Sequence, residues 1–331
     1  MEKKETISIT GKVWPWLDIS TNKSTNSIDQ KKWPKVTIVT PSFNQGDFIE
    51  ETIRSVLLQN YPNLEYIVVD GGSSDNTIEI IKKYEAFLTF WVSEPDGGQA
   101  DAINKGFKVA TGDYLGWLNS DDILYPNAIQ QVVEAFKLNP EVELIYGNIE
   151  QGLLHSQGLT QLKGEEINFS EMLSTLKVPI PQQGSLWKRS VVERVGCLDP
   201  RWQVVLDREF YIRVAEKCNI LYINKLLGFF RNHEKSKSVL ESARWLVELP
   251  LMYREYFERS DLSKEIRNLE GKTMGAMFLT CASISMRCGE GKSALGYLTD
   301  AIKSDPLALI RRNVRSKSSG ILRSMMQYLK V

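Results

Sequence analysis

Residues 36–81 read VTIVTPSFNQGDFIEETIRSVLLQNYPNLEYIVVDGGSSDNTIEII. Val36–Thr40 is a short β-branched run, which favours a strand. Phe48, Ile49, Ile53, Val56 and Leu57 then recur at helical spacing. Leu64–Val69 is a second apolar run, and Thr77–Tyr84 a second helix with Ser74 or Asp75 placed to cap it. The rhythm continues outward. Leu88–Val92 predicts a third strand. Gln99–Ala110 predicts a helix stopped at Gly112. Tyr114–Leu118 predicts a fourth strand, and PNAIQQVVEAF a helix with Pro126 in its first position. Strand and helix alternate through short connections, so the expected class is α/β, a mostly parallel sheet flanked by helices. Ligands in such sheets bind at the carboxyl ends of the strands. Four ends then command interest: PSFNQG, DGGSSD, SEPDGGQ and NSDD.

The flanks read differently. Residues 1–35 form an N-terminal arm, polar apart from VWPWLDI at Val13–Ile19, which is suited to packing on the domain that follows. The sheet-bearing domain is expected over 36–240, and 241–331 reads as an α-helical C-terminal extension. Within it, GEGKSALGYLTDAIKSDP (Gly289–Pro306) has the small-residue rhythm of a tetratricopeptide-like hairpin. Ile310–Val331 carries Lys and Arg without acids, with Ile321, Leu322, Met325, Met326 and Leu329 spaced for one helix face. That face suits either peripheral contact with a membrane surface or packing on its own domain.

Composition excludes several classes. The 331 residues carry 41 Lys plus Arg and 41 Asp plus Glu, so no basic excess points to nucleic acid. Cys197, Cys218, Cys281 and Cys288 form no CxxC pair, and only His155 and His233 stand beside them, so a structural zinc site is not expected. MEKKETISIT has no apolar core, so a signal peptide is not expected. No apolar run reaches membrane-spanning length. A cytoplasmic protein is expected. Neither GxGxxG nor GxxxxGK[ST] occurs at the strand ends, which sets aside dinucleotide oxidoreductases and P-loop ATPases.

NSDD at Asn119–Asp122 poses the sharpest question. Two adjacent carboxylates at the end of an apolar strand repel each other. They precede the position where they would cap the next helix. Hard oxygen ligands beside glycine-rich loops suit Mg2+ or Mn2+ held together with substrate phosphates, and a plain surface turn is the competing reading.

The stretch from VTIVTPSFNQG through DGGSSDN, SEPDGGQADAINKG and YLGWLNSDDILYP resembles the family 2 glycosyltransferases, nucleotide-diphosphosugar enzymes of the GT-A fold. The resemblance spans about 36–238. It implies metal-dependent, inverting transfer of a sugar from a nucleotide donor to a hydroxyl of a glycan or lipid-linked acceptor. The implied setting is surface polysaccharide synthesis; the residues themselves point to the cytoplasm and leave peripheral contact at the inner face of the plasma membrane open. By the same resemblance Thr40, Pro41, Ser42 and Asn44 line the nucleoside. Asp70 is the first acid of the family's Asp-Asp-Gly-Ser motif, with Gly71 where the second acid, a uracil contact in some members, would stand. Asn104 borders the donor, and Asn119 and Ser120 adjoin it. Asp121 binds the metal, with Asn119 replacing the usual first acid of DxD. Asp207 in LDREFYIR is the base, with Glu209 in reserve. A helix N-cap is the plain alternative for Asp207. His233 in FFRNHEKSKS contacts metal or diphosphate, and Gln183 and Trp187 in PQQGSLWKR contact the acceptor. Two rivals are weighed. A nucleotidyltransferase would need basic residues at the first strand end, and TPSFNQG has none. A catalytically weak nucleotide- or sugar-binding module with the same fold would account for Asn119 and Gly71.

Overall fold

The computed structural model describes residues 14–16, 33–153, 159–234, 236–237 and 241–310. His155 and residues 311–331, with the basic helix expected there, lie outside this set. The chain divides into two compact units. One takes Met1–Glu166, Pro179–Arg201 and Arg213–His233, the other Ile167–Val178, Trp202–Ile212 and Glu234–Val331. The segments 167–178 and 202–212 thus group with the C-terminal helices rather than with the sheet.

The first unit is built on a sheet of nine strands among the described residues. These are β1 (Val36–Ser42), β2 (Leu64–Asp70), β3 (Phe90–Ser93), β4 (Tyr114–Trp117), β5 (Ile123–Leu124), β6 (Leu144–Gly152), β7 (Thr160–Leu162), β8 (Ser185–Lys188) and β9 (Ile220–Arg231). Their order is β3-β2-β1-β4-β8-β6-β9-β5, with β7 paired to β6. β3, β2, β1 and β4 run parallel. Every residue of β1 is buried, as a strand covered on both faces requires. β8 enters antiparallel between β4 and β6. β1 lies between β2 and β4, so the carboxyl ends of β1 and β4 open at the point where strand order reverses.

Helices α1 (Ile49–Leu57), α2 (Thr77–Tyr84), α3 (Gln99–Val109) and α4 (Ala128–Leu138) follow the first strands. Ile38, Ile49, Ile53, Val56, Ile81, Val132 and Phe136 share one core cluster. On α3, Gly106 allows close approach: a Cβ there would come 2.4 Å from Val39 Cγ1. Two sequence expectations give way. α4 starts at Ala128 rather than at Pro126, because Asn127 takes a left-handed φ of 62° and turns the chain one step later. α3 ends at Val109 without using Gly112 as a cap. Gly112 instead passes over β1, its N–H donating to Thr37 Oγ1 at 2.9 Å, where a side chain would collide.

Residues 14–16 of the arm lie on this unit. Trp14 Nε1 donates to Leu124 O at 3.1 Å and Trp16 Nε1 to Glu51 Oε1 at 3.3 Å. Arg54 donates to Pro15 O and stacks over the Trp16 ring.

In the second unit, the helices Glu270–Arg287 and Gly291–Ser304 pack as one hairpin. Gly275, Ala294 and Ala301 are buried there, the small residues that let two helix backbones come close. The helix Trp245–Glu258 contains Pro250, which cannot donate to the Leu246 carbonyl four residues back. Tyr297 OH supplies a donor to Leu246 O, at 3.4 Å. α5 (Phe169–Thr175) also lies in this unit. α6 (Arg189–Val195) belongs to the sheet unit, and α7 (Leu206–Lys217) begins within Trp202–Ile212 and runs on into it.

Candidate active site

The strand ends of the sheet unit are tied to one another by side chains. Asn44, with a left-handed φ of 52°, donates its N–H to Ser73 Oγ at 2.7 Å and accepts from Ser74 N at 2.9 Å. Gln45 N donates to Thr77 Oγ1 and Gly46 N to Asp75 Oδ2. Gly71 N donates to Ser42 O at 2.8 Å. The loop after β1 is therefore laced to the loop after β2.

Asp70 organises that second loop from within. It has no exposure, and its carboxylate accepts from Gly72 N (3.1 Å), Ser73 N (2.8 Å), Ser73 Oγ (2.5 Å) and Ser93 Oγ (2.7 Å). The expected nucleotide contact is thus a loop-holding carboxylate, enclosed because its donors surround it. Thr40 is likewise internal: it has no exposure and its hydroxyl pairs with Tyr66 OH at 3.0 Å. Pro41 is buried beside it. Ser42 differs. It is 5% exposed, and among the described residues its Oγ has no hydrogen-bond partner. A buried hydroxyl without a partner is costly, and one at a strand end suits a ligand.

Gly71, where the second acid was expected, faces Asp96 from the loop after β3. A Cβ on Gly71 would lie 2.9 Å from Asp96 Oδ2. The Asp96 carboxylate occupies this space, with Gly98 N donating to Oδ1 at 2.8 Å. Burial pushes its carboxyl above the usual range, and the charges of Asp101 and Asp70 act the same way against Lys105.

After β4 the chain makes the NSDD turn. Thr52 Oγ1, fully buried on α1, lies 2.9 Å from Ser120 O and 2.8 Å from Asp122 O. Further along α1, Ser55 Oγ accepts from Leu124 N, and Gln59 reaches Tyr125 O and Ile129 N. The two carboxylates part company here. Asp122 points inward with no exposure, accepting from Gln182 Nε2 (2.7 Å), Gln183 Nε2 (2.8 Å) and Arg231 N (3.1 Å). Burial and then the charge of Asp121 push its carboxyl well above the usual range, against the Gln183 and Arg231 hydrogen bonds. Asp121 keeps its carboxylate partly open, and Oδ2 lies 3.0 Å from His233 Nε2. Arg231 secures the turn from β9. Its Nε donates to Asp121 O at 2.8 Å, and its guanidinium pairs with Glu51. Asn119 Oδ1 accepts from Gln99 Nε2 at 2.7 Å, and Ser120 is 4% exposed.

The two residues expected to bind metal are therefore brought together from 112 positions apart. Among the described residues no three His, Cys, Asp or Glu side chains gather. The chain offers one carboxylate and one imidazole, a donor set that fits Mg2+ or Mn2+ when diphosphate oxygens and water complete the shell.

Other expected contacts go elsewhere. Asn104 Nδ2 donates to Leu198 O at 2.7 Å and Oδ1 accepts from Leu198 N at 3.1 Å, so its amide pins the loop after α6. Gln183, expected at the acceptor, is buried against Asp122. Trp187, also expected there, has no exposure and packs edge-on against Trp117 and Phe107 in the core. In the second unit, Asp207 is the second residue of α7, and its Oδ1 accepts from Arg208 N at 2.7 Å. That contact is one residue ahead, not a cap across the first turn. Burial raises its carboxyl above the usual range, against the Arg208 N–H and charge.

Sequence reasoning missed Thr52, Glu51, Arg231 and Gln182. Thr52, Ser55 and Gln59 had a visible signal, polar residues at helical spacing among the apolar ones that face the core. Arg231 had none, since its partner Glu51 lies 180 residues away.

The model for the family described as "Glycosyl transferase family 2" matches residues 37–180. An uncharacterized glycosyltransferase of Mycobacterium tuberculosis is 33% identical over 229 residues, which cover 66% of this chain and 86% of that protein. One from Nostoc sp. is 24% identical over 261 residues, covering 70% and 80%. Among solved structures, Staphylococcus aureus TarS 1-349 in complex with UDP-GlcNAc is similar at a TM-score of 0.62 and 17% identity, covering 82% of this chain and 81% of that one. The mannosyltransferase PcManGT from Pyrobaculum calidifontis, in complex with GDP-Man and Mn2+, is similar at 0.59 and 16%, covering 95% and 91%. At these identities the structural likeness speaks for the fold.

Proposed function

The chain belongs to glycosyl transferase family 2 and has the GT-A fold, and from that premise we propose that it moves a sugar from a nucleoside-diphosphate donor to a hydroxyl of a glycan or lipid-linked acceptor, with inversion. The observation that carries the reading is the contact of Asp121 with His233 at the end of β4. These two residues would hold Mn2+ or Mg2+, which when bound supplies positive charge against the departing diphosphate. A structural neighbour in complex with GDP-Man and Mn2+ is consistent with a divalent cation in a site of this kind.

Ser42 and Asn44 are the groups at the end of β1 that would meet the nucleoside. The acceptor oxygen bonds to the anomeric carbon as that carbon's bond to the diphosphate oxygen breaks. Asp207 takes the hydroxyl proton. A carboxyl held above its usual range is the stronger proton acceptor once ionised, and a single displacement inverts the configuration. We place the activity in surface glycan assembly on the cytoplasmic side of a membrane. Among the described residues no helix is long and apolar enough to cross one.

The test is binding of UDP, GDP, dTDP, ADP and CMP, each with Mn2+ and with chelator, to wild type and Asp121→Asn. One diphosphate is expected to bind at least ~10-fold more tightly with Mn2+, and Asp121→Asn to lose that gain. Equal binding with Mn2+ and with chelator would overturn the metal assignment. Absence of binding to all five would favour the sugar-binding module.

A further inference from the structure

The C-terminal helical unit grips the start of α7 on both sides of Asp207. Upstream, Glu248 on the helix Trp245–Glu258 is 7% exposed, and its carboxylate collects three consecutive main-chain donors. Gln203 N lies 3.1 and 3.0 Å from its two oxygens, Val204 N 2.9 Å and Val205 N 3.4 Å. Arg244 stands one turn away, its Nε 3.9 Å from Oε1. Lys237 Nζ donates to Gln203 Oε1 at 3.0 Å. Downstream, Arg208 Nη1 donates to Leu176 O at 2.8 Å and to Tyr253 OH at 3.4 Å. Tyr253 is fully buried on the same helix as Glu248. Asp207 thus sits between the Glu248 anchor before it and, after it, Arg208, which is held by Leu176 O and by Tyr253 of the Glu248 helix.

A buried carboxylate is a demanding anchor, because its desolvation must be offset by good hydrogen bonds. Val204, Val205 and Leu206 are 8, 0 and 5% exposed, so apolar packing already keeps this stretch inside. What three converging N–H bonds add is orientation of the peptide planes leading into α7. Two residues on, that orientation sets the direction in which the Asp207 side chain leaves the backbone. Charge-assisted bonds are shorter and more directional than neutral ones.

We propose that Glu248 is a positioning residue for transfer, aiming the Asp207 carboxylate from a helix outside the matched family region. The inference rests on Asp207 being the base. The C-terminal helices are then a working part of the enzyme.

The experiment compares full-length wild type, Glu248→Gln, Glu248→Ala and Asp207→Asn. Mn2+-dependent release of UDP from UDP-GlcNAc and of GDP from GDP-mannose gives kcat and KM between pH 5 and 9. Hydrogen exchange across 200–210 reads the anchor without turnover. Glu248→Ala is expected to lower kcat ~10-fold or more, hold the donor KM within ~2-fold, shift the acidic limb of the kcat profile, and speed exchange at 203–205. Glu248→Gln keeps the volume and one acceptor oxygen, and should fall between the two. If Glu248→Ala does not fold, Glu248→Gln carries the same comparison. Inactive Asp207→Asn beside Glu248 variants with wild-type kcat and an unmoved pH limb overturns the inference alone. Wild-type kcat in Asp207→Asn overturns the base assignment and the inference with it. Without measurable turnover, unchanged exchange at 203–205 in both Glu248 variants overturns the anchor, and faster exchange supports it.

Discussion

Arg231→Met tests how the NSDD turn is held. The guanidinium links to the Glu51 carboxylate and the Asp121 carbonyl, and lies over the Phe48 ring. The side chains of Arg231 and Glu51 are 10% and 17% exposed, nearer to a buried pair than a surface one. Surface pairs contribute about 0–1 kcal/mol, whereas removing one partner of a buried pair costs about 3–5 kcal/mol. Methionine fills similar volume, so the cavity contribution is small. Glu51 keeps Trp16 Nε1 at 3.3 Å, which softens the loss. The expected destabilisation is therefore about 3 kcal/mol. Glu51→Gln alone should cost less, about 1–2 kcal/mol, since Arg231 retains the Asp121 carbonyl. The double variant should recover a coupling of at least about 1.5 kcal/mol. Urea unfolding, followed by tryptophan fluorescence and circular dichroism with coincident transitions required, reads all four proteins. Additivity within about 0.5 kcal/mol would refute the pairing. Undiminished Mn2+-dependent diphosphate binding by Arg231→Met would refute its support of Asp121.

Thr52→Val removes the hydroxyl under Ser120 O and Asp122 O at constant shape. It should cost about 1–3 kcal/mol, the penalty of a buried acceptor left unmet, and an unchanged unfolding midpoint would count against it. Gly228→Ala places a Cβ 2.7 Å from Gln183 O and 3.1 Å from Ile123 O. Neither is a flexible side-chain end, so a loss of about 2–3 kcal/mol is expected, measured as a fall in Tm, and a neutral substitution would show that β9 can shift. Asp207 has a folded-state pKa above its ordinary 3.8, so the fold favours the protonated form. The stability it lends is full below that ordinary value and is lost as pH rises through the folded one. Asp207→Asn should gain on wild type as pH rises, by about 1.4 kcal/mol for each tenfold by which folding weakens the acid. A Tm difference that stays constant from pH 3.5 to 8 would contradict this.

The parallel half of the sheet was legible because each strand and helix from 36 to 118 carries its own period, and short connections leave few ways to arrange them. β8 and β9 were not. β8 pairs with β4 and β6 across about 70 and 40 residues, and no local pattern reports so distant a partner. The acids at the strand ends were legible as a set, since the topology gathers strand ends whatever their details. Their individual roles were not. Asp70 and Asp122 become internal anchors while Asp121 stays open. That division depends on where Ser73, Ser93, Gln182 and Gln183 place their donors, which spacing does not encode. Gly71 read as a missing acid, and only the fold shows the Asp96 carboxylate taking up that space from the loop after the next strand.

The lacing of the loop after β1 to the loop after β2, through Asn44, Gln45, Gly46 and Gly71, bears on the thermodynamics of association. Loops that must order around a ligand give up conformational entropy at the moment of binding, which weakens affinity. Here the main-chain donors of residues 44–46 already have partners in the free protein, so the ordering cost at this edge is met during folding. Under the proposed function, nucleoside recognition there would be closer to docking against a set surface than to closure of a mobile one. Substitutions at Ser73, Asp75 or Thr77 would then act on affinity from behind the loop, through entropy rather than through a lost contact.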